Sequence, residues 1–224
     1  DTTLVRKVGH VIGMESRAHG IHMILGPVLD LARDARWGRV EETYGEDPFL
    51  AASNAVAIVK GMQGNDLTDP GAVIAEPKHF AVHGIPEAGN NKAPVFVGER
   101  EARSIFLYPF EKAVREGGAK GIMAAYHELD GIPCVSNQWL LMDVLRKEWG
   151  FNGFILSDLG AIRMIIDTHK TAKDTIDAVV QAIKAGLNMQ FYDFEHESFR
   201  QAIENALAHK MLKEEELNRA VKDI

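Results

Sequence analysis

The chain has 224 residues, of which 32 are acidic and 25 basic, so its formal charge is −7 at neutral pH. With 46% apolar and 25% charged residues, it has the composition of an ordinary globular protein. The acidic balance and the scattered basic residues exclude the usual pattern of a nucleic-acid-binding protein, and no apolar run is long enough to span a bilayer, so we expect neither nucleic acid nor a membrane as a partner.

Cysteine content and the N-terminus leave the compartment open. Cys134 is the only cysteine, which excludes an internal disulfide and a cysteine-rich zinc site. The first residues, Asp-Thr-Thr, do not resemble a secretion signal. A chain without disulfides is compatible with the cytosol, the periplasm and the cell exterior.

Five short apolar runs alternate with longer segments of helical pattern, starting with a predicted strand at residues 22–29. The other predicted strands are residues 72–76, 121–126, 153–156 and 187–191. This alternation is typical of parallel strands joined by crossover helices. We therefore predict an α/β fold, a (β/α)8 TIM-like barrel that forms one domain over residues 1–224. Because a complete barrel usually has about 250 residues, we expect this one to be incomplete.

The predicted helices lie between and after these strands. Asp47 and Pro48 form a cap and a first-turn proline for a helix that ends before Gly64. The remaining predicted helices are residues 99–116, interrupted at Pro109, then 137–150, 174–185, 197–209 and 213–221. Residues 86–98 have no clear period and contain Gly, Asn and Pro, which predicts a long loop. Such a loop either contributes to a site or is a surface insertion, and spacing does not decide between them.

Polar side chains follow the predicted strands at the points where the apolar runs end. Ligands of parallel α/β barrels bind at the carboxyl ends of the strands, so these residues are candidates for a common site. A single acidic residue in such a place is more often a helix cap, whereas several in matching positions indicate a site. The residues are Asp30, Lys78, His79, Tyr126, His127, Glu128, Ser157, Asp158 and Asn188.

Asp158 is the acidic residue with the clearest chemical interpretation. It follows the apolar residues 154–156, so as a structural residue it would cap the next helix. As a chemical group, a carboxylate on a rigid strand end is suited to act as a nucleophile or base. Lys78 and His79 would add a cation and a neutral donor, which suit a site that recognises hydroxyl groups.

Residues 33–42 combine many charges with Trp37. They form either an exposed loop with weak local ion pairs or a sugar-binding segment. In the second case the arginines would donate to hydroxyl groups and the Trp face would cover the apolar face of the ring. Spacing leaves both interpretations open.

The 9 histidines raise the alternative of a metal site. His79 and His83 are four residues apart, a spacing that suits metal ligands on a helix, but this pair is predicted at a strand end and in a loop. The sequence also lacks the motifs typical of zinc proteases, dinucleotide-binding folds, P-loops and serine hydrolases. We expect no metal and no cofactor. A metal-dependent barrel hydrolase that uses His79, His127 and Asp158 stays open as an alternative.

Short motifs occur in order along nearly the whole chain. They are Gly-Pro-Val-Leu-Asp at 26–30, Asp-Ala-Arg-Trp-Gly-Arg at 34–39, Tyr-Gly-Glu-Asp-Pro at 44–48, Lys-His-Phe at 78–80, Met-Ala-Ala-Tyr at 123–126, Gly-Ile-Pro-Cys at 131–134, Ser-Asn at 136–137, Trp-Gly-Phe at 149–151 and Ser-Asp at 157–158. In order and spacing this set resembles glycoside hydrolase family 3. Each motif alone is weak, but the ordered set is specific.

The resemblance implies a retaining, exo-acting β-glycosidase of the β-glucosidase or β-xylosidase type, which hydrolyses terminal non-reducing β-D-glycosyl residues on a barrel domain. It implies that Asp158 is the catalytic nucleophile. The substrate-binding residues that it implies are Arg39, Lys78, His79, Met123 and Tyr126. The expected binding partner is an oligosaccharide or an aryl or alkyl β-glycoside.

The resemblance also implies parts that this sequence does not show. In the family, a further substrate-binding Asp and the first barrel strand come before the position of residue 1, and the general acid/base Glu of the glucosidase-like members lies on a C-terminal α/β sandwich domain. We therefore expect such a domain or a partner chain to supply the acid/base Glu. Weaker candidates within the chain are Glu76, Glu87 and Glu128, and Asn188 stands where the family often has Asp.

Retaining hydrolysis uses two carboxyl groups about 5–5.5 Å apart, one as nucleophile and one as acid/base. Asp158 must be ionised to attack, and we expect nearby cations such as Lys78 or Arg39 to lower its pKa. A non-catalytic or degenerate glycan-binding barrel is the other alternative that the sequence leaves open.

Overall fold

The structure is a computed structural model that describes all residues from 1 to 224. The α-helices are α1 (Thr2–Ala18), α2 (Pro48–Gln63), α3 (Glu99–Glu101), α4 (Tyr108–Arg115), α5 (Ala161–Asp167), α6 (Thr175–Ala185), α7 (His196–Ala208) and α8 (Glu214–Lys222). The π-helical segments are Ala102–Phe106 and Trp139–Glu148, and the 3-10 turns are Val40–Glu42, Glu87–Gly89 and Cys134–Ser136. The strands are β1 (Met23–Ile24), β2 (Ile74–Ala75), β3 (Gly121–Ala124), β4 (Glu128–Leu129), β5 (Ile132–Pro133) and β6 (Phe154–Ser157). None of the helices combines the length and the apolar character that a membrane crossing requires.

The parallel strands lie side by side in the order in which they occur along the chain. β1 pairs with β2, and β3 pairs with β6. A parallel bridge between Phe80 and Ala124 joins the two pairs, and a bridge between Leu156 and Met189 continues the array. Each new strand is therefore added on the same side, as in a (β/α)8 barrel, whereas a doubly wound sheet reverses direction at a switch point. This order confirms the prediction of a TIM-like barrel, of which the chain forms an open part.

Most predicted elements are present, with shorter strands than the apolar runs indicate. Four of the predicted strands correspond to β1, β2, β3 and β6, whereas residues 187–191 contribute only the bridge at Met189. The helix predicted over residues 99–116 is divided into α3, a π-helical segment and α4, and Pro109 lies in the first turn of α4. The predicted caps Asp47 and Asn137 accept bonds from the backbone N–H groups of Leu50 (2.7 Å) and Leu140 (3.1 Å).

Elements that the apolar pattern did not predict are α1, α5 and the antiparallel β4–β5 hairpin. In α1 the apolar residues Leu4, Val8 and Val11 are exposed, while Gly9 and Gly13 are the buried positions. The face of α1 that packs on the protein therefore combines these two glycines with the partly buried Val5 and Ile12, and the exposed apolar residues beside it obscure the apolar periodicity.

The alternation of side chains along β3 separates two apolar layers. Ile122 and Ala124 belong to the main core, which packs against the helices. Met123 points the other way, into a smaller cluster with Phe154 and Leu156. Beside this inner cluster lies an open cavity of about 740 Å³, lined among others by Leu156. The polar residues at the carboxyl ends of the strands follow directly on this inner layer.

The packing of α1 on α2 depends on a close approach of two backbones. A Cβ atom on Gly61 would lie 2.3 Å from the carbonyl oxygen of Arg6, and one on Gly9 would lie 2.6 Å from the carbonyl oxygen of Ile58. Both neighbours are backbone atoms, so neither can move without displacing its helix. Only glycine fits at these positions.

We predict that Gly61→Ala lowers the free energy of unfolding by about 1–3 kcal/mol, because the clash outweighs the helix propensity of about 1 kcal/mol that alanine adds. Urea-induced unfolding measures the change. Gly38→Ala is the matched control, since a Cβ atom there would have no neighbour within 4 Å. A Gly61→Ala protein as stable as the control protein would contradict the close packing of α1 on α2.

Candidate functional site

The carboxyl ends of the parallel strands bring several predicted residues together. Asp30 follows β1, His79 follows β2, Tyr126 follows β3 and Asp158 follows β6. Arg39, from the loop after β1, reaches the same place and contacts both His79 and Tyr126. The predicted ring of polar residues therefore contains a real cluster, although not every member of the ring belongs to it.

Asp158 is buried at the end of β6 and does not cap a helix. Its Oδ1 accepts the backbone N–H of Leu159 (2.7 Å), and its Oδ2 has no hydrogen-bond partner. The first turn of α5 is instead held by Asp193, which accepts the backbone N–H groups of Ile162 (2.6 Å) and Arg163 (3.1 Å). The interpretation of Asp158 as a helix cap is wrong, and one of its oxygens is left free for chemistry.

Burial raises the pKa of Asp158 to about 6 and is the largest influence on it. The bond from Leu159 and the charges of Arg39 and Lys78 act in the opposite direction but are smaller. The expectation that nearby cations lower the pKa of this carboxyl group below its usual value is therefore wrong in its net direction. The cations limit a rise that burial causes.

His79 is held as a neutral ring by partners on both nitrogens. Its Nδ1 lies 2.7 Å from Oδ2 of Asp30, and Nη2 of Arg39 lies 2.9 Å from its Nε2. Because a guanidinium group can only donate, Nε2 is the acceptor and the proton is on Nδ1, which donates to Asp30. Burial lowers the pKa of His79 well below its ordinary value and raises that of Asp30 to about 6. The ring is 3.9 Å from Oδ2 of Asp158, measured from Nε2.

Arg39 is the cation of the cluster. Its Nε and Nη2 donate to the carboxylate of Glu42 at 2.7 and 2.8 Å, and its Nη1 lies 3.3 Å from the hydroxyl of Tyr126. The bond to Glu42 raises the pKa of the guanidinium above its already high value, so Arg39 carries a charge at every relevant pH. Arg39 is thus not part of an exposed loop with only local ion pairs, and its role in sugar binding stays a prediction.

Trp37 and Arg36 do not fit the sugar-binding interpretation of residues 33–42. Arg36 forms an exposed ion pair with Asp34. Trp37 is only 1% exposed, so its face is not available to cover a sugar ring. Its indole Nε1–H donates instead to Oδ1 of Asn91 (2.8 Å). The expectation of a stacking Trp at this position is wrong, and the indole acts as a structural donor.

Of the other two predicted substrate-binding residues, Lys78 lies near the cluster and Met123 lies in a separate apolar layer. The ammonium group of Lys78 has no hydrogen-bond partner, but its charge acts on the carboxyl groups of Asp158 and Glu76. Met123 is 2% exposed and packs with Phe154 and its neighbours. A role in substrate binding stays a prediction for both residues.

Asn91 is not among the residues predicted for the site, and His83 is among them only as a possible metal ligand. Asn91 donates from Nδ2 to the hydroxyl of Tyr126, and its Oδ1 also lies 3.0 Å from Nε2 of His83. Asn91 belongs to residues 86–98, which were predicted to be a long loop, so that loop contributes to the cluster. Only the possibility of a functional loop gave a signal, since a single Asn among Gly and Asn residues is also typical of a turn.

The remaining members of the predicted ring have structural partners. His127 pairs with His83 through their Nδ1 atoms (2.9 Å), and Glu128 lies 3.1 Å from Nδ1 of His169. Asn188 accepts the backbone N–H of Ile155 (2.7 Å). Ser157 donates to Asp193, which also caps α5. The chain contains no group of three or more His, Cys, Asp or Glu side chains arranged to hold a metal ion.

Glu76, which precedes Lys78 by two residues, is buried on the inner side of the array. The residue is completely inaccessible, and neither carboxyl oxygen has a hydrogen-bond partner. Burial raises its pKa to about 8, more than the charge of Lys78 lowers it. Glu76 is therefore protonated at neutral pH. Glu87, another acidic candidate, is exposed on the 3-10 turn Glu87–Gly89.

Comparisons with known proteins all point to glycoside-cleaving enzymes of one family. The family model described as "Glycosyl hydrolase family 3 N terminal domain" matches residues 1–224. A periplasmic beta-glucosidase of Salmonella typhimurium is 41% identical over 189 residues, which are 84% of this chain and 24% of that protein. A beta-xylosidase of Formosa agariphila is 40% identical over 83% of this chain and 26% of its own length.

Solved structures give the same result. The chain superposes on a beta-glucosidase of Listeria innocua in complex with isofagomine with a TM-score of 0.95 and 36% identity, covering 100% of this chain and 31% of that one. The same Listeria innocua enzyme has been solved with glucose, at a TM-score of 0.94. The chain spans about a quarter to a third of the length of these relatives.

The buried Glu76 predicts a specific pH dependence of stability. In the unfolded chain this carboxyl ionises near pH 4.5, and in the folded protein near pH 8, so a rise in pH between these values favours the unfolded state. Gln cannot ionise, and we expect the stability of Glu76→Gln relative to wild type to increase by on the order of 4 kcal/mol across this range. Urea unfolding at several pH values measures it. Glu87→Gln, at an exposed position, should show no such trend, and a pH-independent difference for Glu76→Gln would show that Glu76 ionises normally.

Proposed function

This chain belongs to glycosyl hydrolase family 3, and from that premise we propose that it is the nucleophile-bearing barrel domain of a retaining, exo-acting β-glycosidase of the β-glucosidase type. Its substrate would be the terminal non-reducing β-D-glycosyl residue of an oligosaccharide or of an aryl or alkyl glycoside. The relatives named beta-glucosidase and beta-xylosidase support the reaction type, and the glucose complex of the Listeria innocua enzyme favours a glucose-type ring.

The observation that supports this proposal most directly is the state of Asp158. Its Oδ2 is buried without a partner at the carboxyl end of a barrel strand, where ligands of this fold bind. With a pKa of about 6, the carboxyl group is mostly ionised at pH 7. A rigidly placed and incompletely bonded carboxylate can attack an anomeric carbon and form a covalent glycosyl-enzyme.

Donors around Asp158 would orient the sugar. Arg39 brings a permanent charge to the site, and its bond to His79 fixes the imidazole as a neutral group. The hydroxyl of Tyr126 and the free ammonium group of Lys78 are further groups suited to sugar hydroxyls. Tyr126 is kept in place through its backbone carbonyl, which accepts a bond from Nε2 of His169 (2.8 Å).

The general acid/base is proposed to come from a second domain or a partner chain. Glu76 is buried and unpartnered on the inner side of the array, and Glu128 is engaged by His169. Retaining enzymes use two carboxyl groups about 5 Å apart, the second of which protonates the leaving oxygen in the first chemical step. A substrate with an activated leaving group needs no proton at this step, so the first chemical step can be tested independently of the acid/base.

We predict that Asp158→Ala abolishes covalent labelling by a 2-fluoro glycosyl substrate and lowers kcat on an activated aryl β-glucoside by about 10⁴-fold. Mass spectrometry of the intact protein and of its peptides measures the label. Asp143→Ala removes an exposed carboxylate on the Trp139–Glu148 segment and should leave both properties unchanged. Labelling that persists in Asp158→Ala would exclude Asp158 as the nucleophile, and sugar binding without any labelling of wild type would favour a glycan-binding function.

A second prediction concerns the charge of Lys78. This charge lowers the pKa of Asp158, so Lys78→Met should raise it, and the acidic limb of the labelling rate should move to higher pH. The rate constant of labelling as a function of pH measures the shift. Lys147→Met, which removes an exposed lysine paired with Asp143, is the control. An unchanged acidic limb in Lys78→Met would show that this ammonium does not act on the nucleophile.

A further inference from the structure

The side chain of Asp193 is completely buried and receives hydrogen bonds from four donors. The residue follows the Leu156–Met189 bridge and precedes α7. Its Oδ1 accepts the backbone N–H groups of Ile162 (2.6 Å) and Arg163 (3.1 Å). Its Oδ2 accepts the hydroxyl of Ser157 (2.8 Å) and the backbone N–H of Phe191 (3.0 Å). A carboxylate has about four acceptor positions, so both oxygens of Asp193 are fully used.

The two oxygens of Asp193 bind the chain on opposite sides of Asp158. Ser157, which Oδ2 holds, directly precedes Asp158 at the end of β6. Residues 162–163, which Oδ1 holds, form the first turn of α5 and come after Asp158. One planar carboxylate therefore binds both ends of the short segment that carries Asp158.

Backbone hydrogen bonds hold the same segment. The N–H of Asp158 donates to the carbonyl of Ala124 on β3 (2.9 Å), and the carbonyl of Asp158 accepts the N–H of Ala161 (2.9 Å). The N–H of Gly160 donates to the carbonyl of Phe191 (3.1 Å), and the N–H of Phe191 is itself bound by Asp193. The loop around Asp193 thus binds the Asp158 segment through its backbone as well as through the carboxylate.

Capping of α5 alone does not account for this arrangement. Asp47 and Asp174 cap α2 and α6 with one carboxylate oxygen each, and both residues are exposed. Burying a carboxyl group is unfavourable, and burial raises the pKa of Asp193 although the hydrogen bonds oppose the rise. A cap at the surface avoids that cost. The buried position lets the second oxygen reach Ser157, the residue beside Asp158.

We propose that Asp193 is a positioning residue for the nucleophile: it binds the chain on both sides of Asp158 and so keeps the free Oδ2 of Asp158 in a fixed place at the carboxyl end of β6. This inference rests on the proposed role of Asp158 as nucleophile. Asp193 acts through Ser157 and the first turn of α5. The rate of attack depends steeply on the position of the attacking oxygen, since a displacement of about 1 Å can cost about 100-fold.

The variant that tests this role most directly is Asp193→Asn in the full-length protein. Asn keeps the size of the side chain, but its NH₂ group cannot accept hydrogen bonds, so it can hold α5 or Ser157 but not both. We expect the maximal rate constant of labelling by the 2-fluoro glycosyl substrate to fall about tenfold or more. The reagent concentration that gives half of this rate should change less than about threefold, because the sugar-binding candidates Arg39 and Tyr126 lie on other segments.

Ser157→Ala breaks only the side-chain bond that precedes Asp158 and leaves the bonds of Asp193 to α5 in place. We expect a smaller loss of the same kind, about threefold to fivefold in the maximal labelling rate. Added to Asp193→Asn, it should have less than its separate effect, because both substitutions break the same bond. This variant also keeps the inference testable if Asp193→Asn does not fold, as judged by thermal unfolding.

Asp174→Ala is the control for the loss of a helix cap. It removes the exposed cap of α6 and should lower the thermal stability without lowering the labelling rate. The acidic limb of the labelling rate should stay at the same pH in Asp193→Asn, because a displaced carboxylate attacks more slowly without a change in its own pKa.

Four results would overturn the positioning role: an unchanged maximal rate in Asp193→Asn and Ser157→Ala, a loss that lies only in reagent binding, an equal loss in Asp174→Ala, or a shifted acidic limb in Asp193→Asn. Absence of labelling at Asp158 in wild type would instead overturn the proposed function itself.

Discussion

The arrangement of the cluster depends on the hydrogen bonds of the Arg39 guanidinium group. Within the loop after β1 this group binds Glu42, and it joins that loop to His79 after β2 and to Tyr126 after β3. A half-buried cation is costly unless it is paired, and the bidentate bond to Glu42 supplies the pairing. The remaining N–H groups are then available to fix the tautomer of His79 and one acceptor position of Tyr126. Removing this one group would leave Glu42 without its cation and would take away one of the two side-chain hydrogen bonds that hold His79 and Tyr126.

The carboxyl groups of Asp158 and Glu76 are both affected by the charge of Lys78, but they differ in their own charge because their surroundings differ. Asp158 and Glu76 are both buried, and burial raises the pKa of each. Asp158 accepts a backbone N–H and feels two cations, whereas Glu76 accepts no hydrogen bond. The resulting pKa values of about 6 and about 8 leave one group mostly ionised and the other protonated at neutral pH. Of the pair, only Asp158 is therefore in the ionised state that the proposed nucleophile requires at neutral pH.

The strands and the residues at their ends could be predicted because both produce a recognisable pattern in the sequence. Buried parallel strands are apolar on both faces, and a polar residue at the end of such a run stands out. This is why Asp158, His79 and Tyr126 could be predicted to converge. In α1 the apolar pattern is weak, since the helix packs through Gly9 and Gly13 with only the partly buried Val5 and Ile12 beside them, and its other apolar side chains are exposed. Close backbone packing depends on the absence of side chains, which a search for apolar periodicity does not register.

The features of the site that sequence reasoning missed depend on contacts between distant segments. A sugar-stacking role of Trp37 was one of two interpretations that its chemistry allowed, but its indole N–H donates to Asn91, 54 residues further along the chain. The sign of the pKa shift of Asp158 likewise depends on how much burial opposes the cations, and a list of neighbouring charges does not contain that balance.

Tyr126 shows why such contacts matter for function. Its side chain takes one bond from Arg39 and one from Asn91, while its backbone carbonyl is held by His169. Three segments that are remote in sequence therefore agree on one orientation of one phenol. The hydroxyl proton of a phenol prefers the plane of the ring and has two positions in it, and strand geometry does not choose between them. The side chains that donate to the oxygen bear on that choice, and for this reason the loop of residues 86–98 contributes to the order of the site together with the strand ends.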